Sequence, residues 1–177
     1  MRVLVVVLCG VLLLGCKTSK DLETSAAQKK ALAEMMEDKS YEITSKLAFP
    51  TEGVITLANT GLLPRDSNPS SINLLNTSNY IKKSGDSIRL DLPYFGTRRM
   101  GGAGYGDDNS IMLEGIPSTY KTTYNEKKQR YKIFFRMRKK QEIFNVTVYL
   151  FSNLTSDVRV VSTHRSPISY RGSIKEI

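Results

Sequence analysis

The sequence predicts a mainly β domain, an antiparallel meander forming a strongly curved sheet or a partly open barrel, with one N-terminal helix. Two observations favour this fold class. Apolar residues recur at helical spacing only before Lys39, and from Ser40 onward the period switches from 3.6 to 2. About eight or nine alternating runs then follow, joined by short turns with no helix between them.

The predicted helix begins at Ser25, which together with Gln28 has the spacing of a capping box. It continues to Lys39 with a narrow apolar stripe, so we expect it to lie against a sheet. The stripe consists of Ala27, Ala31, Leu32, Met35 and Met36.

The first predicted strand follows Ser40 and places Tyr41, Ile43, Leu47 and Phe49 on one face. A glycine-bearing connection, Lys83 to Asp86, then predicts a hairpin between two alternating runs, Ile72–Lys82 and Ser87–Phe95. The later predicted strands are Ile111–Glu114, Thr119–Tyr124, Tyr131–Arg138, Ile143–Phe151, Val158–Thr163 and Ile168–Ile174.

The N-terminus has the pattern of an export leader. Arg2 precedes an apolar run, Val3–Leu14, which is shorter than the roughly 20 residues needed to span a bilayer. Gly15 and Cys16 then resemble a bacterial lipobox, in which the Cys16 thiol receives the lipid. We therefore expect a signal peptide (1–15), a tether (16–24) and one β-rich domain (25–177). The alternative is an ordinary secretory signal in which Cys16 has no role.

The charge balance is basic, with 26 Lys and Arg against 17 Asp and Glu. Behind an export leader this balance favours anionic envelope surfaces over nucleic acid. Eight cations concentrate in one hairpin-like region, where they indicate either contact with a membrane surface or a solvated strand face that discourages aggregation. They are Lys127, Lys128, Arg130, Lys132, Arg136, Arg138, Lys139 and Lys140.

No motif predicts catalysis, a cofactor or a metal. The glycine-rich loop from Gly96 to Gly106 carries Arg98 and Arg99, which could contact an anion, but its spacing matches no phosphate-binding fingerprint. Asp107 and Asp108 lack the alternating pattern of a calcium loop. His164 is the one histidine, so it has no histidine partner for a zinc site.

Four segments resemble a known family: Gly85–Ile88, Leu92-Pro93-Tyr94-Phe95-Gly96, the glycine-rich loop that follows it, and Ile168–Ile174. They are similar to the bacterial lipoprotein family catalogued as domain of unknown function number 4251, found mainly in Bacteroidota. The resemblance implies an exported, lipid-anchored β-rich domain in a Gram-negative envelope, with no assigned activity or functional residues. Pro93 is expected to end its strand or to lie at a sheet edge.

We therefore expect a non-enzymatic envelope protein that binds a hydrophobic ligand or a protein partner. We expect Cys16 to anchor it to the outer membrane. One alternative is a structural subunit that docks by a sheet edge. Another is a hydrolase of envelope glycans or lipids that uses Asp107, Asp108 and His164. A ligand carrier needs a cavity lined by Phe, Leu, Ile and Tyr, whereas a scaffold has that volume filled.

Overall fold

In the computed structural model, the described residues form ten antiparallel strands of one strongly curled sheet, a half-barrel. The structure describes residues 19–51, 64–99 and 110–177. The predicted leader with Cys16, and the segment with Asp107 and Asp108, lie outside the described residues. The fold class predicted from the alternating runs is confirmed.

Within the described residues, the helix α1 (Ser19–Asp38) precedes the strands. The sheet order is β5-β4-β3-β1-β10-β9-β8-β7-β6, and β2 pairs with β1. The strands are β1 (Ser40–Pro50), β2 (Ile72–Asn73), β3 (Tyr80–Ser84), β4 (Ser87–Pro93), β5 (Ser110–Gly115), β6 (Thr119–Asn125), β7 (Arg130–Lys139), β8 (Glu142–Phe151), β9 (Thr155–Ser162) and β10 (Ile168–Lys175).

The core lies inside the curl of the sheet. In β7, for example, Ile133, Phe135 and Met137 are buried while Lys132, Arg136 and Arg138 on the other face are exposed, as a pleated strand with one solvated face requires. The same alternation runs through the other long strands except β6 and the second half of β1, and their inward apolar side chains pack into one cluster. Burial of this apolar surface is the main favourable contribution to folding.

Helix α1 begins at Ser19, earlier than the predicted start at Ser25, and it ends at Asp38. Ser25 therefore lies within the helix, because the helix-favouring residues before it extend the helix toward the N-terminus. Lys39 adopts a left-handed φ of 52° and its carbonyl accepts the Gly85 N–H at 3.1 Å. Leu32 and Met35 are buried against the sheet, as the narrow apolar stripe predicts.

The second half of β1 contradicts the predicted alternation. The pairing register shifts between Ser45 and Leu47, so one extra residue stands in β1 opposite β10. Such a bulge reverses which side chains face the core. Ala48 is consequently buried, and Leu47 and Phe49 lie on the outer face instead of sharing the face of Tyr41 and Ile43.

Asn79 and Gly172 accommodate this bulge. The Ser45 N–H donates to Asn79 Oδ1 at 2.7 Å, and Asn79 Nδ2 donates to the Ser45 carbonyl at 2.9 Å. A side chain thus replaces the missing ladder bonds, and Asn79 is buried. The prediction of one strand over Ile72–Lys82 is therefore wrong. Residues 74–79 leave the sheet between β2 and β3.

Candidate functional site

The end of the half-barrel where β4 stops is closed by a polar network, which we call the capped end. Tyr94 is buried there, and its hydroxyl lies 2.8 Å from the Thr97 carbonyl and 2.9 Å from Ser166 Oγ. The Thr97 N–H donates to the same Oγ at 3.1 Å. Burial is the main cause that raises the pKa of Tyr94. Tyr94 therefore remains a neutral hydrogen-bonding group.

Arg165 and Glu142 form the charged part of the capped end. Arg165 is 8% exposed, and its Nε lies 2.9 Å from Glu142 Oε1, which also accepts a hydrogen bond from the Ser162 hydroxyl. Arg165 Nη1 donates to the Ser110 carbonyl at 3.2 Å, and the guanidinium lies 5.2 Å from the centre of the Tyr94 ring. These contacts join β8, the β9–β10 connection and the start of β5.

The two most specific family segments meet at the capped end. Pro93 is the last residue of β4, an inner strand, so it ends its strand and does not lie at a sheet edge. Its carbonyl accepts the buried Tyr170 hydroxyl at 2.8 Å. Gly96 leaves no space for a side chain, since a Cβ there would lie 2.5 Å from Ser166 Oγ. Both segments thus contribute contacts to the fold at the capped end.

The predicted anion contacts lie beside this network. The Arg99 N–H donates to the His164 carbonyl at 2.7 Å, and Arg98 forms an isolated bridge with Arg165. The structure therefore brings Arg98, Arg99 and His164 together through their backbones. An anion at this position stays a prediction. Among the described residues, no group of three or more His, Cys, Asp or Glu side chains could hold a metal ion.

Strand β6 has the properties of a docking element. It is the last strand of the sheet and pairs with β7 on one side. All of its residues except Thr119 are exposed, including Tyr120 and Tyr124 at 36% and 40%. Threonine and tyrosine favour strands, so β6 keeps a β conformation although none of its residues is fully buried. A terminal strand of this kind presents unpaired N–H and C=O groups, which we call the β6 edge.

Two contacts hold β6 across the open side of the half-barrel. The Tyr120 hydroxyl lies 3.3 Å from the Tyr41 hydroxyl of β1, and the Lys83 ammonium of β3 lies 4.8 Å from the centre of the Tyr120 ring. Lys83 is buried and donates to the Gly85 carbonyl. Burial lowers the pKa of Lys83 and raises that of Tyr41, since both charged forms lose water. These contacts hold β6 against β1 and β3.

A cleft of about 420 Å³ lies between α1 and the β6–β7 turn, and we call it the α1–β6 cleft. Its apolar walls include Leu32, Tyr124 and Tyr131, and the two tyrosine rings are 4.7 Å apart. Lys29, Glu126 and Gln129 form its polar rim. The cleft opens beside the end of β6, so a segment paired with β6 would reach it.

A second cavity, of about 400 Å³, is bordered by charged side chains, including Arg89, Asp91, Glu114 and Arg138. Neither described cavity has the Phe, Leu and Ile lining that a carrier of an acyl chain needs. The inward positions of the strands are instead filled by packed side chains. Among the described residues, no helix is both long and apolar enough to cross a bilayer.

Comparison with known proteins identifies a family. A family model described as "Domain of unknown function (DUF4251)" matches residues 23–174. The crystal structure of a DUF4251 family protein from Bacteroides eggerthii DSM 20697 is similar, with a TM-score of 0.57 and 11% identity over 86% of this chain and 91% of that chain. At this identity the likeness shows the fold alone. No curated protein matches the sequence.

Proposed function

We propose that this chain, which belongs to the DUF4251 family, is a lipid-anchored cell-envelope protein that binds a protein partner through the β6 edge. The partner supplies an extended segment that pairs with β6 and places side chains in the α1–β6 cleft. This is β-strand addition, in which main-chain hydrogen bonds give affinity and side-chain pockets give specificity. No chemical step is part of this function.

One observation carries the proposal: β6 is a terminal strand in which every residue except Thr119 is exposed. Tyr120 reaches Tyr41 and Lys83, but no β6 side chain belongs to the buried core. The single lysine of β6, Lys121, is weak protection against pairing with another chain. The exposed Ile116, Tyr120 and Tyr124 add apolar contact area along this edge.

A small amphiphilic ligand is the second candidate, because the α1–β6 cleft has tyrosine walls and a volume of about 420 Å³. This volume lies within the range of small-molecule sites. This cleft is the feature that supports the expected binding of a hydrophobic ligand. Ligand binding would leave the β6 edge unpaired, so the two candidates differ in what an edge substitution does.

The edge function predicts that Thr122→Lys separates the protein from its partner. A second lysine beside Lys121 opposes strand addition, and Thr122 is exposed and opposite Ile133 in the β7 ladder. Protein purified from envelopes under mild conditions is compared by native mass spectrometry. We expect a complex with a second protein for the wild type and at least a tenfold smaller complexed fraction for Thr122→Lys.

Thr44→Lys is the matched control, because Thr44 is an exposed threonine on β1, a strand paired with β3 and β10 on its two sides. It should retain the complex. A wild-type monomer without a protein partner contradicts the edge function, and a bound small molecule on that monomer supports the second candidate. Equal complex formation by Thr122→Lys and wild type also contradicts it.

The anchor predicts that Cys16→Ser releases the protein from membranes. The thiol is the atom that would carry the lipid, and serine removes it while changing little else. Fractionation of cells expressing each form measures the effect, with most wild-type protein in the membrane pellet and most Cys16→Ser protein in the soluble fraction. Unchanged fractionation would show that Cys16 is not the attachment site. Cys9→Ser, inside the apolar run, is the control and should remain in the pellet.

A further inference from the structure

The outer face of β6, β7, β8 and β9 is strongly basic. Its cations alternate with buried residues such as Ile133, Phe135 and Val160, so they point away from the core. The pairing register places them on adjacent strands of one continuous surface. We call this surface the basic face; its exposed cations are Lys121, Lys132, Arg136, Arg138 and Arg159.

The basic face lacks neutralising carboxylates. Within the described ranges, none of its five cations has an ion pair. Asp157 shares this face, but its carboxylate is 3.0 Å from Arg171 Nε. Glu142 is held by Arg165 at the capped end. The basic face therefore carries uncompensated positive charge.

The outer face of the other strands is different. Glu42 lies 2.9 Å from both the Lys82 and the Lys175 ammonium groups, whose hydrogen bonds lower its pKa. Arg89 lies 3.6 Å from Glu114 across β4 and β5. Several cations on that half of the sheet therefore have a carboxylate partner, unlike the five cations of the basic face.

Aromatic and apolar side chains lie among these cations. Phe134 stands opposite Lys121 and Thr147, and Tyr149 stands opposite Lys132. Val161 is 37% exposed. Arg130 also lies 4.3 Å from the centre of the Tyr149 ring. Cations interspersed with aromatic groups are typical of surfaces that lie at the headgroup level of a membrane.

The β6–β7 turn adds two exposed cations, Lys127 and Lys128, next to the basic face. This turn lies beside the middle of α1, since Lys29 lines the same cleft as Glu126 and Gln129.

We propose that the basic face docks on the anionic headgroups of a membrane surface. Cations without ion pairs supply the attraction, and the half-buried Phe134 and Tyr149 rings, together with the exposed Val161, contact the headgroup region. Contact at this face orients the domain on the membrane. The inference uses the outer face of the sheet and does not depend on a partner at the β6 edge.

The test compares vesicle binding by the chain from residue 16 onward carrying Cys16→Ser, so that neither the apolar leader nor a lipid anchor contributes. In this background, one variant carries Lys132→Gln, Arg136→Gln and Arg159→Gln. The matched control carries Lys46→Gln, Arg65→Gln and Arg89→Gln, which remove the same charge from exposed positions outside the basic face. Co-sedimentation is measured with phosphatidylcholine vesicles, with and without phosphatidylglycerol, and binding to a DNA duplex is measured in parallel.

The proposal predicts binding that requires phosphatidylglycerol and weakens with salt. If each cation strengthens vesicle binding about fivefold, the loss of three cations should weaken binding by the basic-face variant about 100-fold. Binding by the control variant should change much less. Equal loss in the two variants would show attraction to net charge alone and would overturn the proposal. Vesicle binding that does not depend on phosphatidylglycerol would overturn the proposal as well. Tighter binding to the DNA duplex than to the anionic vesicles would also overturn it.

Discussion

Gly172→Ala should prevent stable folding of the β domain. A Cβ at this position would lie 1.9 Å from the Thr44 carbonyl oxygen and 2.7 Å from Ser45 Cα, which are backbone atoms of the β1 bulge. These atoms cannot rotate away as a side chain would, so β1 and β10 must separate. We expect a loss of about 3 kcal/mol or more, at the upper end of overpacking effects.

Urea unfolding of the purified proteins measures this loss, and the soluble yield shows it if the variant fails to fold. Ser173→Ala, at the next residue of β10, is the control and should change the free energy of unfolding by less than about 1 kcal/mol. A Gly172→Ala protein as stable as wild type would mean that β1 and β10 do not approach as closely as described.

Arg165→Met is expected to destabilise the domain by about 3 to 5 kcal/mol, because it leaves the Glu142 carboxylate buried without its partner. The two side chains are only 8% and 13% exposed, so solvent screens their interaction little. The substitution also removes the bond to the Ser110 carbonyl, which anchors the start of β5 at the capped end. Urea unfolding near neutral pH measures the effect.

Arg89→Met is the matched control, since Arg89 and Glu114 are 62% and 68% exposed and a pair of this kind contributes about 0 to 1 kcal/mol. The double variant Arg165→Met with Glu142→Leu should recover part of the loss, because no unpaired charge remains buried. Equal effects of Arg165→Met and Arg89→Met would show that the capped end is not a buried ion-pair network.

Most strands could be predicted because their core contacts alternate strictly. The predicted strand Tyr131–Arg138 is one residue shorter than β7 at each end. The predicted strand Ile168–Ile174 is one residue shorter than β10 at its C-terminal end. The bulge in β1 could not be predicted. It depends on Asn79 and Gly172, which are distant in sequence and become neighbours only when β1 pairs with β3 and β10.

The candidate site was harder to predict than the fold. Family membership, inferred from Leu92–Gly96 and Ile168–Ile174, is confirmed, and both segments contribute to the capped end. Strand β6 was predicted, but its terminal position was not, because local alternation carries no information about which strands pair. The available signal was that Tyr120, Thr122 and Tyr124 are amphipathic, whereas the inward faces of β7 and β8 are fully apolar.

The pairing of a partner with β6 can be measured directly by hydrogen–deuterium exchange on the envelope-purified complex and on the protein alone. If the account is correct, the amides of Thr119–Asn125 that do not donate to β7 exchange more slowly in the complex, since these N–H groups donate to the partner's main chain. Amides of β9, which is paired on both sides, should not change. Unchanged exchange in β6, with protection confined to another surface, would contradict the edge function.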